Sequence, residues 1–426
     1  HNKIEFVSYP FSQREKMYNF IHEDSYGRIW ILASNGEFSF YNPTKNLFEQ
    51  GYTYINGEKV SYKATGRKFL VDNQKNIWLS CDSGVDMITF LNENYSYFSM
   101  NHHDKIRGLF VDSRQRVWIA DKSKRIYDRE HRYIGNLNEA GDLVQDRQVI
   151  FGADIYCFFE DEAHRLWMGS RENGIYVAVP EAEKFRIFHF KHDKKDKRSL
   201  SSDAIYAFGK DMNGHIWIGT YGGGLNVVDG IFPDLHFIHS DNGLDLYPKD
   251  ECRKVRSIYC TSTGIMLVGT TDGLLSFSAK TDEYRKIQFN LNHCETKRAN
   301  SLSNNDVIYT FESKKGEIYI ITHSSGLNLV TSKNLLCDNI EFVHLNKQNG
   351  LPSDMAYTMI EGNRNELWIS FEDQICRYNP DRGSIESYNR FYFHSHLLVS
   401  EIPLVRDDKN GMYVALNRDV LYLHLD

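Results

Sequence analysis

The chain has 426 residues, 41% of them hydrophobic and 25% charged, which is length for a large core or several and excludes a disordered polypeptide. Its 57 acidic against 50 basic residues leave a net charge of -7 with the signs interspersed, and this excludes the basic footprint of a nucleic-acid binder. No stretch approaches the roughly 20 apolar residues of a membrane helix and no signal-peptide series opens the chain, which predicts a soluble region, either a mature exported domain or a piece of a membrane-anchored parent.

The chain opens on IEFVSY (4–9), and a similar run, IEFVHL (340–345), closes an internal segment. Between and beyond them one phrase returns nine times: DSYGRIWIL, DNQKNIWLS, DSRQRVWIA, DEAHRLWMG, DMNGHIWIG, TSTGIMLVG, SKKGEIYII, GNRNELWIS and DKNGMYVAL. Its aromatic or apolar position falls on Trp30, Trp78, Trp118, Trp167, Trp217, Leu267, Tyr319, Trp368 and Tyr413. Spacings run from 40 (Trp78 to Trp118) to 52 (Leu267 to Tyr319). A period near 50 is a repeat architecture.

Within one unit, SDAIYAFGKD, GHIWIGT, GLNVVD and LHFIHS read as four β-runs separated by glycine, Asn and Asp turns. Helical periodicity is nearly absent. The expectation is an all-β fold, a β-propeller of nine four-stranded antiparallel blades spanning 1–426. The ninth unit ends after DVLYLHLD without a fourth run, so 4–9 is expected as the outer strand of the last blade, closing one ring and removing two open edges. The alternative is one seven-bladed ring with two blades of a second.

The repeated Trp is expected in the core rather than on a sugar-stacking surface. Asp24, Asp112, Asp161, Asp211 and Asp408 open the first hairpin of their units and are expected to bond their own turns, with calcium binding as the alternative. The basic run KHDKKDKR (191–198) reads as a solvated loop. The seven cysteines are odd in number and show no CxxC, so neither a zinc site nor a disulfide framework is expected, although Cys252 and Cys294 lie in adjacent loops where an oxidising compartment would allow a bridge.

Function is expected where the units differ, on the turns between second and third strands. These carry Asp82, Lys122, Arg171, Tyr221, His323, Glu372 and Arg418, with Lys124 and Asp272 beside them. Cations, carboxylates, an imidazole and a phenol on one rim suit a polar, anionic small ligand. No GxSxG, HExxH or phosphate loop occurs. Gly222–Gly224 sit in a hairpin, and the HH at 102–103 and the HSH at 394–396 are weak metal candidates, so neither a cofactor nor a metal is expected.

SLSSDAIYAFGKDMNGHIWIGTYGGGLNVVD and NGLPSDMAYTMIEGNRNELWISFEDQICRYNP resemble the two-component regulator propeller repeats of the periplasmic sensor regions of Bacteroidetes hybrid two-component systems. The resemblance implies a receptor region rather than an enzyme. It also implies a periplasmic setting, a β-sandwich and membrane helix further on, an intracellular histidine kinase and receiver, and polysaccharide breakdown products as signals. That family carries about fourteen repeats in two seven-bladed rings and has no invariant catalytic motif, so no site residue is transferred. The expected ligand is an oligosaccharide or disaccharide, the expected membrane link is through the parent protein only, and a homodimer is compatible with the signalling. Alternatives of another class are a propeller lyase or glycoside hydrolase using His323 with Tyr221 or Glu372, and a protein-interaction scaffold.

Overall fold

Strands dominate the computed structural model, which describes residues 18–23, 29–33, 36–42, 47–50, 52–55, 58–61, 68–72, 76–81, 84–88, 95–98 and 104–425 apart from 147–148, 150, 183, 281–282 and 394–395. It divides into two compact units, 1–92 with 388–395, and 93–387 with 396–426.

The first unit contains a four-stranded sheet (Tyr18–Glu23, Ile29–Ala33, Phe38–Asn42, Leu47–Gln50), a hairpin (Tyr52–Ile55, Glu58–Ser61) and a three-stranded sheet (Lys68–Val71, Ile77–Cys81, Gly84–Ile88). Phe20, Trp30, Leu32, Phe38, Ile77 and Leu79 form its core.

The second unit holds seven antiparallel sheets, whose inner strands are in chain order Gly108–Val111, Ile155–Glu160, Ile205–Lys210, Val255–Cys260, Val307–Glu312, Ala356–Glu361 and Val405–Arg406. Six sheets have four strands, and the first adds a fifth, Leu143–Val144. Each of the first six inner strands touches the next or is hydrogen-bonded to it, the last step being Arg406 Nη1 to the Glu361 carbonyl at 2.7 Å. The seventh also touches the first.

The seventh sheet departs from the expectation. Its outer strand is Tyr95–Phe98, paired antiparallel with Val420–His424 from Tyr95 opposite Leu423 to Phe98 opposite Val420. Residues 4–9 lie outside the described residues, and the edge expected for them carries this other aromatic run. The sheet at 68–88 correspondingly has three strands, because the run that follows it in sequence pairs with the far end of the chain.

Layering follows from the repeat. Trp217 is fully buried and packs with Val255, Met266, Val268, Leu275 and Phe277 of the following sheet. Trp118, Trp167, Trp30 and Trp368 are likewise buried, as are Leu267, Tyr319 and Tyr413 at the equivalent positions; Trp78 is half-buried. Losing such a ring costs about 3–5 kcal/mol. The glycine after the phrase has its own reason: a Cβ on Gly219 would stand 2.4 Å from Val255 Cγ1, and one on Gly169 would stand 2.7 Å from Ile205 Cγ2, so the absent side chain lets the next inner strand come close.

The turn aspartates bond as expected and also hold the core. Asp211 accepts from the N–H groups of Asn213 and His215 through Oδ1 and from the Trp217 indole through Oδ2. Asp112 and Asp161 do the same for Trp118 and Trp167. Asp408 does not. In the last unit the turn is bonded by Asp407, which accepts from the Lys409 and Gly411 N–H groups and from the Tyr422 hydroxyl, while Asp408 pairs with Arg129 on the surface. The reason is distance: the aspartate must stand six residues before the ring position, and 413 less 6 is 407. Asp24 lies outside the described residues. The 191–198 run is exposed throughout, as a solvated loop. Among the described side chains six cysteines are free, including buried Cys252 and exposed Cys294.

Candidate functional site

Five consecutive inner strands carry a β-bulge at one position. The register skips a residue between Ile155 and Cys157, Ile205 and Ala207, Val255 and Ser257, Val307 and Tyr309, and Ala356 and Thr358. The extra residues are Tyr156, Tyr206, Arg256, Ile308 and Tyr357. A bulge re-aims its side chain out of the pleat. The residue before each is buried and anchors the strand, whereas the bulged side chains are all partly exposed. In the first sheet Arg107 follows buried Ile106 in the same way.

Tyr156 and Tyr206 meet, with Arg107 beside them. The Arg107 guanidinium lies 5.7 Å from the Tyr156 ring centroid, and Tyr156 meets Tyr206 edge-on at 5.4 Å. Tyr206 stacks on Tyr221 at 4.8 Å and 25°, and Lys254 Nζ lies 5.2 Å from the other ring. Arg256 Nε stands 2.7 Å from Asp306 Oδ1, and its Nη2 donates to Oδ2 at 2.9 Å. Burial, with Tyr156 next, raises the Tyr206 phenol above its ordinary pKa, against the pull of Arg171 and Arg256. Burial raises Tyr357 too, helped by Glu372, Glu401 and Asp373.

The turn residues join this tier through one recurring backbone bond. The N–H of Arg171 donates to the Asp154 carbonyl, that of Tyr221 to Ala204, that of Thr271 to Lys254 and that of His323 to Asp306, at 2.8–3.1 Å. Each turn therefore lies beside the start of its own inner strand. Of the expected residues, Tyr221 stacks on a bulged side chain, and Arg171 and Glu372 act electrostatically on the Tyr206 and Tyr357 phenols. Lys122 pairs with Asp104 at 3.2 Å, and His323 Nδ1 is hydrogen-bonded to Ser324 Oγ at 3.1 Å. Arg418 is exposed on its own turn. Asp82 lies outside the described residues, as do the pair at 102–103 and His394. Beside Lys122, Lys124 is 1% exposed, donates to the Asp121 carbonyl and is held by burial down to about 8.

What the turns did not reveal were Tyr156, Tyr206, Arg256, Tyr357 and Glu401. For the four bulged residues the signal was an aliphatic residue followed by a large aromatic or cationic one at the start of each unit, in ADIY, DAIY, KVR and DMAY; Glu401 had none. Among the described residues no group of three or more His, Cys, Asp or Glu side chains could hold a metal ion. A separate open cleft of about 390 Å³ is lined by Ile238, Asn242, Gly243, Tyr284, Arg285 and Lys286, away from the tier in sequence and bordered by none of its residues.

The family profile of the two component regulator propeller matches residues 199–222, the stretch that opens the third sheet and includes Tyr206 and Tyr221. No curated protein matches the chain. Among solved structures it is similar to the extracellular domain of BT3049 from B. thetaiotaomicron, described as a hybrid two component system, at 18% identity and TM-score 0.61 over 96% of this chain and 56% of that one. It is similar to the extracellular domain of BT4673 from the same organism, described as a one component system, at 15% identity and TM-score 0.57 over 96% and 54%. Virginiamycin B lyase from Staphylococcus aureus aligns at 12% identity and TM-score 0.53 over 78% of this chain and 99% of the lyase. The chain spans little more than half the length of the two B. thetaiotaomicron domains, and at these identities the likeness is one of fold.

Proposed function

We propose that this chain, which carries the two-component regulator propeller repeat, is the ligand-sensing region of an extracytoplasmic receptor of the two-component class. The seven sheets of the second unit form one seven-bladed ring, closed by Tyr95–Phe98 on the last blade, and the first unit contributes blades to a second ring. Within the seven-bladed ring the ligand binds at the mouth where the bulged side chains gather. It is an oligosaccharide or disaccharide released from a polysaccharide, and binding signals to a histidine kinase in the parent protein from a periplasmic position, through a change in how two receptor chains associate. A ligand moves that equilibrium only by its differential affinity for the two arrangements.

The observation that carries the proposal is the row Arg107, Tyr156, Tyr206 and Tyr221, with Arg256 acting on the Tyr206 phenol. Stacked phenols flanked by guanidinium groups supply flat apolar faces and directed donors, the combination a sugar ring with hydroxyl and acidic substituents needs. The test is a thermal-shift screen of the purified chain against plant, host and microbial oligosaccharides. At 100 times Kd a ligand of the folded state adds about 2.7 kcal/mol of apparent stability. One saccharide series should raise Tm, and Tyr206→Ala should abolish the rise. Silence across the panel, together with a protein partner that co-purifies, would replace the sensor with a scaffold; turnover of a saccharide would replace it with an enzyme.

A further inference from the structure

Arg256 has a second carboxylate in reach. Its Nη1 lies 3.9 Å from Glu401 Oε2, on the segment that leads into the inner strand of the seventh sheet, three sheets further on than Arg256's own. Asp306 holds Nη2 by a 2.9 Å hydrogen bond and stands 2.7 Å from Nε as an ion pair, whereas the Glu401 separation is beyond hydrogen-bonding distance. The exposures differ in the same sense, 23% for Arg256 and for Asp306 against 60% for Glu401. Arg256 is thus a guanidinium fixed on one side by a built-in partner and offered on the other to a loosely held, solvent-facing carboxylate.

The segment carrying Glu401 is itself fixed. The Val399 N–H donates to the Glu372 carbonyl at 2.9 Å, and the Ser400 N–H donates to the Ala415 carbonyl at 2.9 Å. Glu401 can therefore leave Arg256 by side-chain rotation alone. An Arg–carboxylate pair gains its strength from two parallel donors in line, and a ligand carboxylate entering the open side can reach geometry that Glu401 does not. Tyr206 lies close enough for Arg256 and Arg171 to bear on its phenol, which places an aromatic face and a second cation beside the entering group.

The geometry points to a saccharide ligand that bears a carboxylate, which replaces Glu401 at Arg256; Glu401 acts as an internal competitor that sets the affinity threshold. This rests on the sensor proposal and narrows its ligand class. Glu401 already acts on the Tyr357 phenol beside Glu372 and Asp373, so a ligand that takes its place at Arg256 leaves it among like charges.

The experiment is isothermal titration of the full chain with di- and trisaccharides containing glucuronic or galacturonic acid, and with their neutral glucose and galactose counterparts, using wild type, Glu401→Gln and Arg256→Gln. The acidic series should bind wild type, bind Glu401→Gln about tenfold more tightly, and lose most of its affinity on Arg256→Gln; Arg256→Lys, which keeps the charge without the fork, should recover only part of it. Equal binding of neutral and acidic saccharides, or an unchanged affinity of Glu401→Gln for the acids, overturns the inference and leaves the sensor standing. If neither series binds wild type or Glu401→Gln, the inference is overturned, and the sensor proposal is decided by the wider saccharide screen.

Discussion

Trp217 donates its indole Nε1–H to Asp211 Oδ2 at 2.9 Å, across six residues and a hairpin turn. The same bond joins Trp78 to Asp72, Trp118 to Asp112 and Trp167 to Asp161 at 2.8–2.9 Å. A single carboxylate thus closes the turn and satisfies the polar atom of the ring that fills the core, which lets a buried Trp sit at this position without an orphaned donor. Asp211→Ala strips the partner from a fully buried indole and from two turn N–H groups. A loss of about 2–4 kcal/mol is expected, read as a lower urea midpoint at unchanged slope.

In the last unit that duty falls on Asp407. Asp407→Ala should cost about 2 kcal/mol through the turn N–H groups and the Tyr422 hydroxyl. Asp408→Ala removes only a surface pair with Arg129, whose partners are 48% and 43% exposed, and should change stability by about 0.5 kcal/mol or less. Parallel urea titrations of the two variants decide the assignment.

His131 Nε2 lies 2.8 Å from Tyr413 Oη, where the first sheet meets the seventh. Burial holds its imidazole below the ordinary pKa, with Lys409 and His424 adding to the effect and Asp407 and Asp128 opposing it. Between the lowered folded value and the unfolded value near 6.5, the unfolded chain binds the extra proton, so stability is present above about pH 6.5 and falls as pH drops below it. Buried His239 acts in the same direction. Melting temperatures between pH 7 and 5 should decline, and His131→Gln should decline less steeply than wild type.

Lys124 gives the opposite limb. Its amine is held down to about 8 by burial, against the pull of Asp121 and Asp154, while in the unfolded chain it titrates near 10.4. Between those values the unfolded state carries the extra proton, so this group makes the folded state more stable as pH rises from 8 to 10. Lys124→Met should flatten that rise of about 2 kcal/mol, checked by denaturation at pH 7.5 and 9.5. Above that range the buried tyrosines, raised in the fold, work the other way.

Tyr206 and Tyr221 stack on each other, half-exposed, and their rings carry little of the core. Tyr221→Leu should leave Tm within a degree or two and weaken saccharide binding about tenfold, as the loss of one aromatic face predicts. A titration of a bound saccharide alongside a melt separates the two effects.

The period, the strand pattern and the core Trp were legible because each is local: the hairpins turn on glycine and Asp, and the six-residue step from Asp to Trp lies within one turn. The outer strand of the seventh sheet was not, because IEFVSY and the YSYF of 95–98 carry the same alternating aromatic pattern, and only the paired structure chooses between them. Asp408 differs from the other turn aspartates because two aspartates adjoin there, and only Asp407 stands six residues before the ring position. Among the turn residues Tyr221 stacks on the tier, and the bulged residues behind the turns are not distinguished by sequence. A bulge is an event of register between two strands, and Tyr156, Tyr206 and Arg256 look like ordinary strand residues until the pairing shows them skipped.

Hydrogen exchange of the chain with and without a saturating saccharide hit tests the account most directly, since the proposal fixes where the ligand sits. Slowed exchange concentrated at the amides around Tyr156, Tyr206, Arg256 and 399–402 is the predicted result. Slowed exchange centred instead on the cleft at 238–243 and 284–286, with the bulged strands unchanged, would contradict it.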